Sequence, residues 1–319
     1  MKAKRHAPSG VTAPTAPTAG AQGKIREHSM LGQAAIHFFF IAACVVCIIP
    51  IVLVVIVSFT NEQAIMANGY SFFPESFSLD AYRYLLADYD RLLRSYGISI
   101  FVTVVGTTMS LLISSLLAYP LSRRDFPQRN ALAFIVFFTI LFNGGLVPWY
   151  LVYTNLFHIK DTILALIVPN LLMNGFYILI MRTFFSQSIP SSLIESAQID
   201  GSGEWRTFFR IVMPLSLPVL ATIGLFTTLG FWNDWFNSLV FIYDNKLVSV
   251  QYLMTKTLLS IQFLQSNTQN SNIGKLLSEM PTETVRMAMA IIGIGPIVLA
   301  YPFFQKYLVK GLTVGAVKG

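Results

Sequence analysis

The sequence ESAQIDGSGEWRTFFRIVMPLSLP, residues 195–218, is a polar and charged segment between two long apolar runs. Its composition is typical of a segment in water, whereas a bilayer-spanning helix needs about 20 mainly apolar residues, a length that the flanking runs reach. Residues 195–218 are therefore predicted to lie at a membrane surface. The fold is predicted to be a set of membrane-spanning helices on either side of them.

The composition of the whole chain agrees with a membrane protein. Of its 319 residues, 54% are hydrophobic and only 12% are charged, and the mean hydropathy is +0.62, which excludes an ordinary soluble domain. The net charge of +7 does not indicate nucleic-acid binding, because the basic residues are scattered among apolar runs and form no cluster. Lysines and arginines retained on one side of a membrane explain this charge.

Six apolar runs are long enough to cross a bilayer, and they predict an all-α integral membrane protein with six transmembrane helices. The first run is too long for the apolar part of a signal peptide and lacks a small-x-small cleavage site, so it is predicted to be a retained anchor. Residues 1–32 are predicted to be a disordered cytoplasmic tail, and residues 33–319 to be the six-helix domain. The runs are approximately 33–59, 98–121, 131–156, 161–184, 211–232 and 286–306.

The distribution of basic residues predicts that both termini are cytoplasmic. With the N-terminus inside, the cytoplasmic side carries fourteen of the 22 Lys and Arg residues, and the outer side carries eight. The short loop Ser122–Arg129, with Arg123, Arg124 and Arg129, weighs most because short loops follow the positive-inside rule best. This orientation places residues 195–218 in the cytoplasm of a multi-pass protein of the plasma membrane.

No catalytic or metal-binding constellation is visible in the sequence. It contains no GxxxxGK[ST] nucleotide-binding loop, so an ATPase that drove this protein would be a separate chain, and no cofactor is expected in this one. Cys44 and Cys47 lie three residues apart without a His or a second Cys pair, and they are predicted to be buried, inert thiols. We predict no catalytic residue, no metal ligand and no enzymatic activity.

The spacing within residues 195–218 resembles a known motif, the EAA loop of ABC-importer permeases. In that loop an acidic residue, two small residues, a glycine and Ile-x-Leu-Pro follow at fixed distances; here Ser196 replaces the first Ala and Met213 replaces the Leu. The resemblance implies a type I ABC importer permease fold, in which this loop forms a cytoplasmic coupling helix that docks into a separate ATPase subunit. The ATPase-coupling residues that it implies are Glu195, Ser196, Ala197, Asp200, Gly201, Ile211 and Pro214.

The residues around Glu195 favour a helix on physical grounds as well. Ser191 or Ser192, after Pro190, can cap a helix whose first turn contains Glu195, where the helix dipole favours an acidic side chain. An amphipathic helix at the membrane interface, without a partner, is the alternative. The predicted apolar face consists of Leu193, Ile194, Ala197 and Ile199, and the predicted turn after it uses Gly201 and Gly203.

Further stretches resemble one family of these permeases, the carbohydrate-uptake (MalG-like) family. The C-terminal YPFFQKYLVKGLTVGAVKG, Tyr301–Gly319, resembles the end of MalG-like chains, and Tyr119–Arg124, Gly144–Tyr150 and Trp232–Phe236 resemble its LplC/YtcP-type subgroup. The resemblance covers about residues 35–319. It implies a second homologous permease subunit, two cytoplasmic ABC ATPase subunits that use ATP, an extracytoplasmic solute-binding lipoprotein and an oligosaccharide substrate, with membrane lipid around the chain and no nucleic acid.

Polar and aromatic residues in the fourth and fifth runs are candidates for the substrate pathway. Aromatic faces stack on sugar rings, while amide and carboxyl groups hold hydroxyls. For the fifth run the alternative is an aromatic belt at the membrane interface, and for the fourth run it is hydrogen bonding between helices. The candidates are Asn170, Asn174, Tyr177, Trp232, Asn233, Asp234, Trp235 and Asn237.

These features together predict a permease subunit of a binding-protein-dependent ABC importer, which forms half of the translocation pathway for an oligosaccharide. An ion-coupled secondary transporter is the alternative. It would usually require internal repeats and ionisable residues in the middle of the membrane, and the six runs show neither self-similar halves nor appreciable buried charge. A membrane-embedded enzyme would need a catalytic constellation, which the sequence lacks.

Overall fold

The computed structural model describes residues 30–169, 172–266 and 281–316, which are almost entirely helical. Within these residues the only strand-type pairing is an isolated bridge between Thr60 and Phe77. In chain order the helices are α1 (Met30–Ser58), α2 (Glu62–Asn68), α3 (Asp80–Leu86), α4 (Tyr89–Ser122), α5 (Arg129–Leu141), α6 (Leu146–Leu151), α7 (Leu164–Ile167), α8 (Gly175–Ser188), α9 (Ser191–Ile199), α10 (Glu204–Thr207), α11 (Met213–Leu215), α12 (Leu217–Trp232), α13 (Phe236–Phe241), α14 (Val250–Ser266) and α15 (Thr282–Ala316).

Three helical segments are long and apolar enough to cross a membrane: Gly32–Ser58, Tyr89–Ser122 and Thr282–Lys306. Two bent pairs pass the same test together. Arg129–Leu141 and Leu146–Leu156 meet at 116°, and Glu204–Leu215 and Leu217–Trp232 meet at 79°. The described residues therefore contain three helices that could span a membrane, or up to five spans if each bent pair is one, and the count of six stays a prediction.

The fourth apolar run, 161–184, is not the single helix that its hydropathy suggests. Helix α7 ends at Ile167, residues 172–174 are not helical, and α8 begins only at Gly175. Proline at 169 cannot donate a backbone hydrogen bond, and the Asn174 side chain caps α8 by accepting from the N–H groups of Phe176 (3.0 Å) and Tyr177 (3.4 Å). A cap of this kind marks the start of a new helix.

The bend between α11 and α12 lies between two prolines. Pro214 and Pro218 lie four residues apart around Ser216, so a continuous helix would lose the N–H of each and place each ring against the preceding turn. The chain instead forms a π turn over Phe208–Val212 and breaks at Ser216, whose N–H donates to the Val212 carbonyl at 3.0 Å. The segment that follows α9 therefore bends by 79° before α12 begins.

The chain separates into two compact units, Met1–Pro50 and Ile51–Gly319. In the first, the described residues form the beginning of α1, and the predicted disordered tail lies almost wholly outside the described residues. In the second, α4 packs against α8 and α12, and α12 packs against α15. One buried cluster is shared by α4, α5, α8 and α12, and its members include Ala118, Val136, Met181 and Ile223.

Candidate functional site

Helix α9 begins directly after Pro190, which occupies the N-cap position and offers no side-chain acceptor. The prediction that Ser191 or Ser192 caps this helix is wrong, because both residues are already helical. Glu195 is consequently the fifth residue of α9 and lies outside its first turn. Its exposed carboxylate is therefore less favoured by the helix dipole, which acts mainly within the first turn.

The four apolar residues of α9 divide between two sides of the helix. Ala197 is buried and Ile194 is half-buried, and Ile194 packs against the core cluster of α4, α5, α8 and α12. Leu193 is exposed, and Ile199 is 85% exposed, which corrects the prediction of a single apolar face. The predicted coupling residues Glu195, Ser196 and Asp200 are exposed as well. Helix α9 therefore presents a mixed apolar and acidic surface.

A glycine ends α9 in a defined geometry. Gly201 has φ +76°, a conformation that costs other L-residues energy. Its N–H donates to the Gln198 carbonyl at 3.0 Å, and the Ser202 N–H donates to the Ala197 carbonyl at 2.8 Å. These are the two hydrogen bonds of a Schellman C-cap. The turn predicted at Gly201 is present, whereas Gly203 has φ −71° and does not need to be glycine for this reason.

The last two predicted coupling residues lie in the segment that leads to the bend. Ile211 is half-buried in the π turn, and Pro214 is exposed in α11. Between them and α9 the exposed ring of Trp205 stacks on Phe209, with centroids 6.1 Å apart. The surface of α9 is thus extended by two aromatic side chains that the sequence analysis did not assign to it.

A polar cluster joins α10 to the end of α4. The Glu204 carboxylate accepts hydrogen bonds from the Tyr119 hydroxyl (2.8 Å) and the Gln198 amide (3.1 Å), and lies 3.5 Å from the Arg123 guanidinium. Arg123 also donates to Tyr119 and forms a two-point contact with Asp125. We name Glu204, Tyr119, Arg123 and Asp125 the α4–α10 clamp.

The α4–α10 clamp is electrostatically well matched. The side chain of Arg123 is only 12% exposed, and the neighbouring carboxylates raise the pKa of its guanidinium. The same contact holds the pKa of the Asp125 carboxyl below its usual range. Bidentate arginine–carboxylate pairs are geometrically specific. The sequence analysis missed Glu204 and Tyr119; the available signal was the spacing of four between Tyr119 and Arg123 on one helix face.

Two of the pathway candidates are buried within the chain. Trp232 is 4% exposed, and its indole N–H donates to the Gly293 carbonyl of α15 at 2.9 Å. Asn237 is 2% exposed, and its amide donates to the Pro169 carbonyl at 3.1 Å. Trp232 joins α12 to α15, and Asn237 joins α13 to the turn after α7; neither offers a free surface to a solute.

The other pathway candidates differ in accessibility. Asp234 is half-buried and accepts from the N–H groups of Phe236 (3.1 Å) and Asn237 (3.2 Å), so it fixes the start of α13. Asn233 is exposed, and Trp235 is 42% exposed. Asn174 is occupied as the cap of α8, and Tyr177 stacks on Phe226 with centroids 6.5 Å apart. Asn170 lies outside the described residues.

The two cysteines are exposed on α1, so the prediction that they are buried is wrong. The apolar run that surrounds them is itself largely exposed. Hydropathy alone does not distinguish an exposed apolar helix from one inside a protein core. Among the described residues, no three His, Cys, Asp or Glu side chains are grouped as a metal site would require.

The region that contains this site matches a known protein family. The family described as "Binding-protein-dependent transport system inner membrane component" matches residues 110–314, a range that contains the end of α4, α9 and the α4–α10 clamp. The chain belongs to this family. It is a permease component of a transport system, and it is not an enzyme.

Individual relatives agree with this assignment. The permease is 39% identical over 284 residues to the polygalacturonan/rhamnogalacturonan transport system permease protein YtcP of Bacillus subtilis, covering 89% of this chain and 97% of that one. It is also 39% identical to the B. subtilis protein LplC, covering 86% of this chain and 90% of that one. Similarity to the LplC/YtcP-type subgroup, predicted from the sequence, is confirmed.

A solved structure supports the fold of the permease. A chain of a bacterial ABC transporter involved in the import of the acidic polysaccharide alginate matches with a TM-score of 0.73 and 28% identity, over 86% of this chain and 95% of that chain. The predicted all-α importer-permease fold is thereby confirmed, and the secondary-transporter alternative is no longer needed.

Proposed function

We propose that this permease forms half of the translocation pathway for an oligosaccharide and is driven by a separate ATPase that docks on α9. Both termini are cytoplasmic in this proposal, which follows the bias of basic residues toward one side. Two ABC ATPase subunits, a second homologous permease and an extracytoplasmic solute-binding lipoprotein complete the importer. The chain has no nucleotide-binding loop of its own, so ATP is used by the partner subunits.

The observation that carries the proposal is the construction of α9 and its connections. The helix projects Glu195, Ser196 and Ile199 outward, while Ile194 and Ala197 hold it against the core. The Schellman turn at Gly201 then fixes the direction of the chain. A short helix held in this way can be displaced as a unit by a partner, because its inner face is bound to the helices that cross the membrane.

The α4–α10 clamp provides a second connection from this segment to a membrane span. The chain connects α9 to α12 through α10 and the π turn. The ion pair between Glu204 and Arg123 also connects this segment to the end of α4. We propose that force from the ATPase reaches α4 and α12 together. Since α4 packs against α8 and α12, a displacement of the segment acts on the centre of the helix assembly.

The substrate class rests on the relatives. The names of YtcP and of the alginate transporter refer to acidic polysaccharides, and we propose an oligosaccharide that carries uronic acid groups. Asn233 and Trp235 are the pathway candidates that remain exposed, so they are the side chains of that cluster proposed to contact it. Trp232 and Asn237 are proposed to stabilise the packing around the pathway, through their hydrogen bonds to the Gly293 and Pro169 carbonyls.

Uptake by charge-reversed variants tests the proposal. Glu195→Lys reverses the charge that α9 presents and is expected to abolish binding-protein-dependent uptake of labelled oligosaccharide, with the subunit still in the membrane. Glu75→Lys changes the same kind of exposed carboxylate on the opposite side and is the matched control. Normal uptake by Glu195→Lys at equal expression would remove α9 as the coupling helix.

The proposed orientation has a separate test. Reporter fusions after Arg129 and after Lys256 are expected to report opposite compartments, with Arg129 in the cytoplasm. The same compartment for both fusions would contradict the topology.

A further inference from the structure

We propose that a basic cleft beside α9 binds the headgroup phosphate of an anionic phospholipid. The cleft lies between the loop Ser122–Gln128, the end of α8 and the start of α9, and its volume is about 900 Å³. Arg124, Arg129 and Arg182 contribute its cationic lining. The assignment to the inner leaflet rests on the proposed orientation, whereas the lipid site itself follows from the chemistry of the cleft.

The three arginines have spare hydrogen-bonding capacity. One N–H of Arg129 donates to the Arg123 carbonyl at 3.4 Å, and one N–H of Arg182 donates to the Leu121 carbonyl at 3.1 Å. A guanidinium group has five N–H donors. The ion pairs among the described residues include none with Arg124, Arg129 or Arg182. These groups therefore present unneutralised positive charge to the cleft.

The acidic groups at the cleft do not cancel this charge. Asp125 is paired with Arg123, which belongs to the α4–α10 clamp. Glu195 on α9 is the remaining carboxylate that lines the cleft. Three cations facing one free carboxylate favour an anionic ligand, and a phosphate is the anion that forked guanidinium donors match best.

The depth of the cleft distinguishes a lipid from a free anion. Helix α4, which is long and apolar enough to cross a membrane, ends at Ser122, and α5 begins at Arg129. Five residues further along α5, Phe134 is 64% exposed, and Ile135 beside it is 57% exposed. A helix rises about 1.5 Å per residue, so large exposed apolar side chains begin roughly 7 Å along α5 from Arg129. The arginines thus lie at the level where lipid phosphates meet the hydrocarbon.

An acidic segment of the ATPase is the competing occupant, since the cleft borders α9. Glu195 of the proposed docking surface lines the cleft, whereas two strongly exposed apolar side chains of this region do not: Ile199 is 85% and Trp205 is 68% exposed. A partner can bind those two apolar side chains without filling the cleft.

Lipid retention by the assembled importer tests the site. The complex is reconstituted in bilayers of equal phosphatidylglycerol and phosphatidylcholine, extracted in mild detergent, and analysed for retained lipid by mass spectrometry. Wild type is expected to retain phosphatidylglycerol selectively. Arg124→Gln combined with Arg129→Gln should lower the ratio of retained phosphatidylglycerol to phosphatidylcholine by about fivefold or more. One basic residue at an anionic surface contributes about 1 kcal/mol, which corresponds to a factor of about five, and two such residues are removed. Adding Arg182→Gln should lower the ratio further.

The matched control replaces two exposed arginines that the proposed topology puts on the other side, as Arg83→Gln combined with Arg94→Gln. It should leave the selectivity for phosphatidylglycerol unchanged. Equal selectivity in wild type and the cleft variants would overturn the proposal. Release of phosphatidylglycerol by millimolar inorganic phosphate would show an anion site without lipid specificity. Loss of the ATPase subunit with unchanged lipid would assign the cleft to the ATPase. Uptake is not measured in this test. The lipid site can therefore be disproved while the coupling role of α9 stands, and the coupling role can be disproved while the lipid site stands.

Discussion

At the scale of single residues, the geometry of the coupling segment depends on the backbone of Gly201. Gly201 has φ +76° and Gly203 has φ −71°, and a Cβ added at either position would meet no atom within 4 Å. The two glycines therefore differ in backbone conformation and not in available space. Gly201→Ala is expected to cost about 1 kcal/mol and to lower uptake severalfold, while Gly203→Ala should behave like wild type. Thermal unfolding measures the loss of stability, and transport assays measure the loss of uptake. Equal effects of the two variants would contradict the account.

Glu204 is the residue whose role was not apparent from its sequence. Glu204→Gln keeps a hydrogen-bond acceptor for the Tyr119 hydroxyl but removes the charge that faces Arg123. We expect the ATPase to remain bound, while the amount of oligosaccharide imported for each ATP hydrolysed falls. The reason is that a displacement of α9 and α10 is transmitted less completely to α4. Glu75→Gln is the control at an exposed carboxylate elsewhere. An unchanged transport-to-ATP ratio would show that the α4–α10 clamp has no part in coupling.

The sequence predicts single residues well where a local rule decides their conformation. Gly201 is such a case, since only the backbone of the turn is involved. Trp232 is the opposite case. Its indole is buried against α15, where the Gly293 carbonyl accepts its N–H, and a contact this distant in sequence leaves no pattern in a single chain. The cap prediction failed for a local reason, because Pro190, and not a serine, occupies the N-cap position of α9.

At the scale of helices, α4 and α12 depend on close contact at one glycine. A Cβ on Gly106 would lie 2.5 Å from the Phe231 ring, so this ring, which is 3% exposed, would have to shift within the core. Overpacking of this kind costs about 1–3 kcal/mol, so Gly106→Ala should unfold at a lower temperature than wild type. Gly97→Ala on the same helix meets nothing within 4 Å and should be neutral or stabilising. A stable Gly106→Ala variant would show that the two helices are not tightly packed there.

A carboxylate joins two loops, and its contribution depends on pH. Asp161 accepts from the N–H groups of Tyr243 (2.9 Å) and Asp244 (2.8 Å), and these donors hold the pKa of its carboxyl below the usual range. A depressed folded-state pKa gives stability that is present above the ordinary value of about 3.9 and is lost as the pH falls through the folded value. Below about pH 4, hydrogen exchange at these two amides, corrected for its intrinsic rate, should therefore accelerate.

Asp161→Asn is the matched variant for this prediction, because Asn keeps an acceptor oxygen and tolerates the φ of 57° at this position. The variant should lose the pH dependence at both amides. The same acidic acceleration in wild type and Asp161→Asn would contradict the assignment of this effect to the Asp161 carboxylate.

Hydropathy predicted the apolar runs but not how the chain breaks within them. The runs that became α1, α4 and α15 contain helices of spanning length, although Pro50, Pro120, Pro296 and Pro302 lie inside them. The fourth run breaks after α7, where the Pro169 carbonyl accepts from Asn237 of a different element. A proline by itself does not specify a break, since the outcome depends on which neighbours satisfy the released carbonyls.

At the scale of the whole molecule, the permease is one component of a larger assembly. Much of α1 and α5 is exposed and apolar, as in Phe38, Phe39 and Phe137, and such surface requires lipid or another subunit to cover it. The family and the fold could be predicted from the EAA-type spacing and the C-terminal sequence. The count of six spans stays a prediction, because bends divide two of the apolar segments in the described residues, and the sequence of one subunit does not specify the substrate.

Site-specific cross-linking tests the central claim, that α9 is the surface on which the ATPase docks. In a background with Cys44→Ser and Cys47→Ser, Ser196→Cys places one exposed thiol on α9. Ser71→Cys places one on an exposed loop that the proposed topology puts on the other side of the membrane. In the assembled, transport-active importer, a short thiol-to-amine cross-linker is expected to join Ser196→Cys to the ATPase subunit and Ser71→Cys to no ATPase. An active importer in which Ser196→Cys gives no ATPase adduct, or Ser71→Cys gives one, would contradict the account.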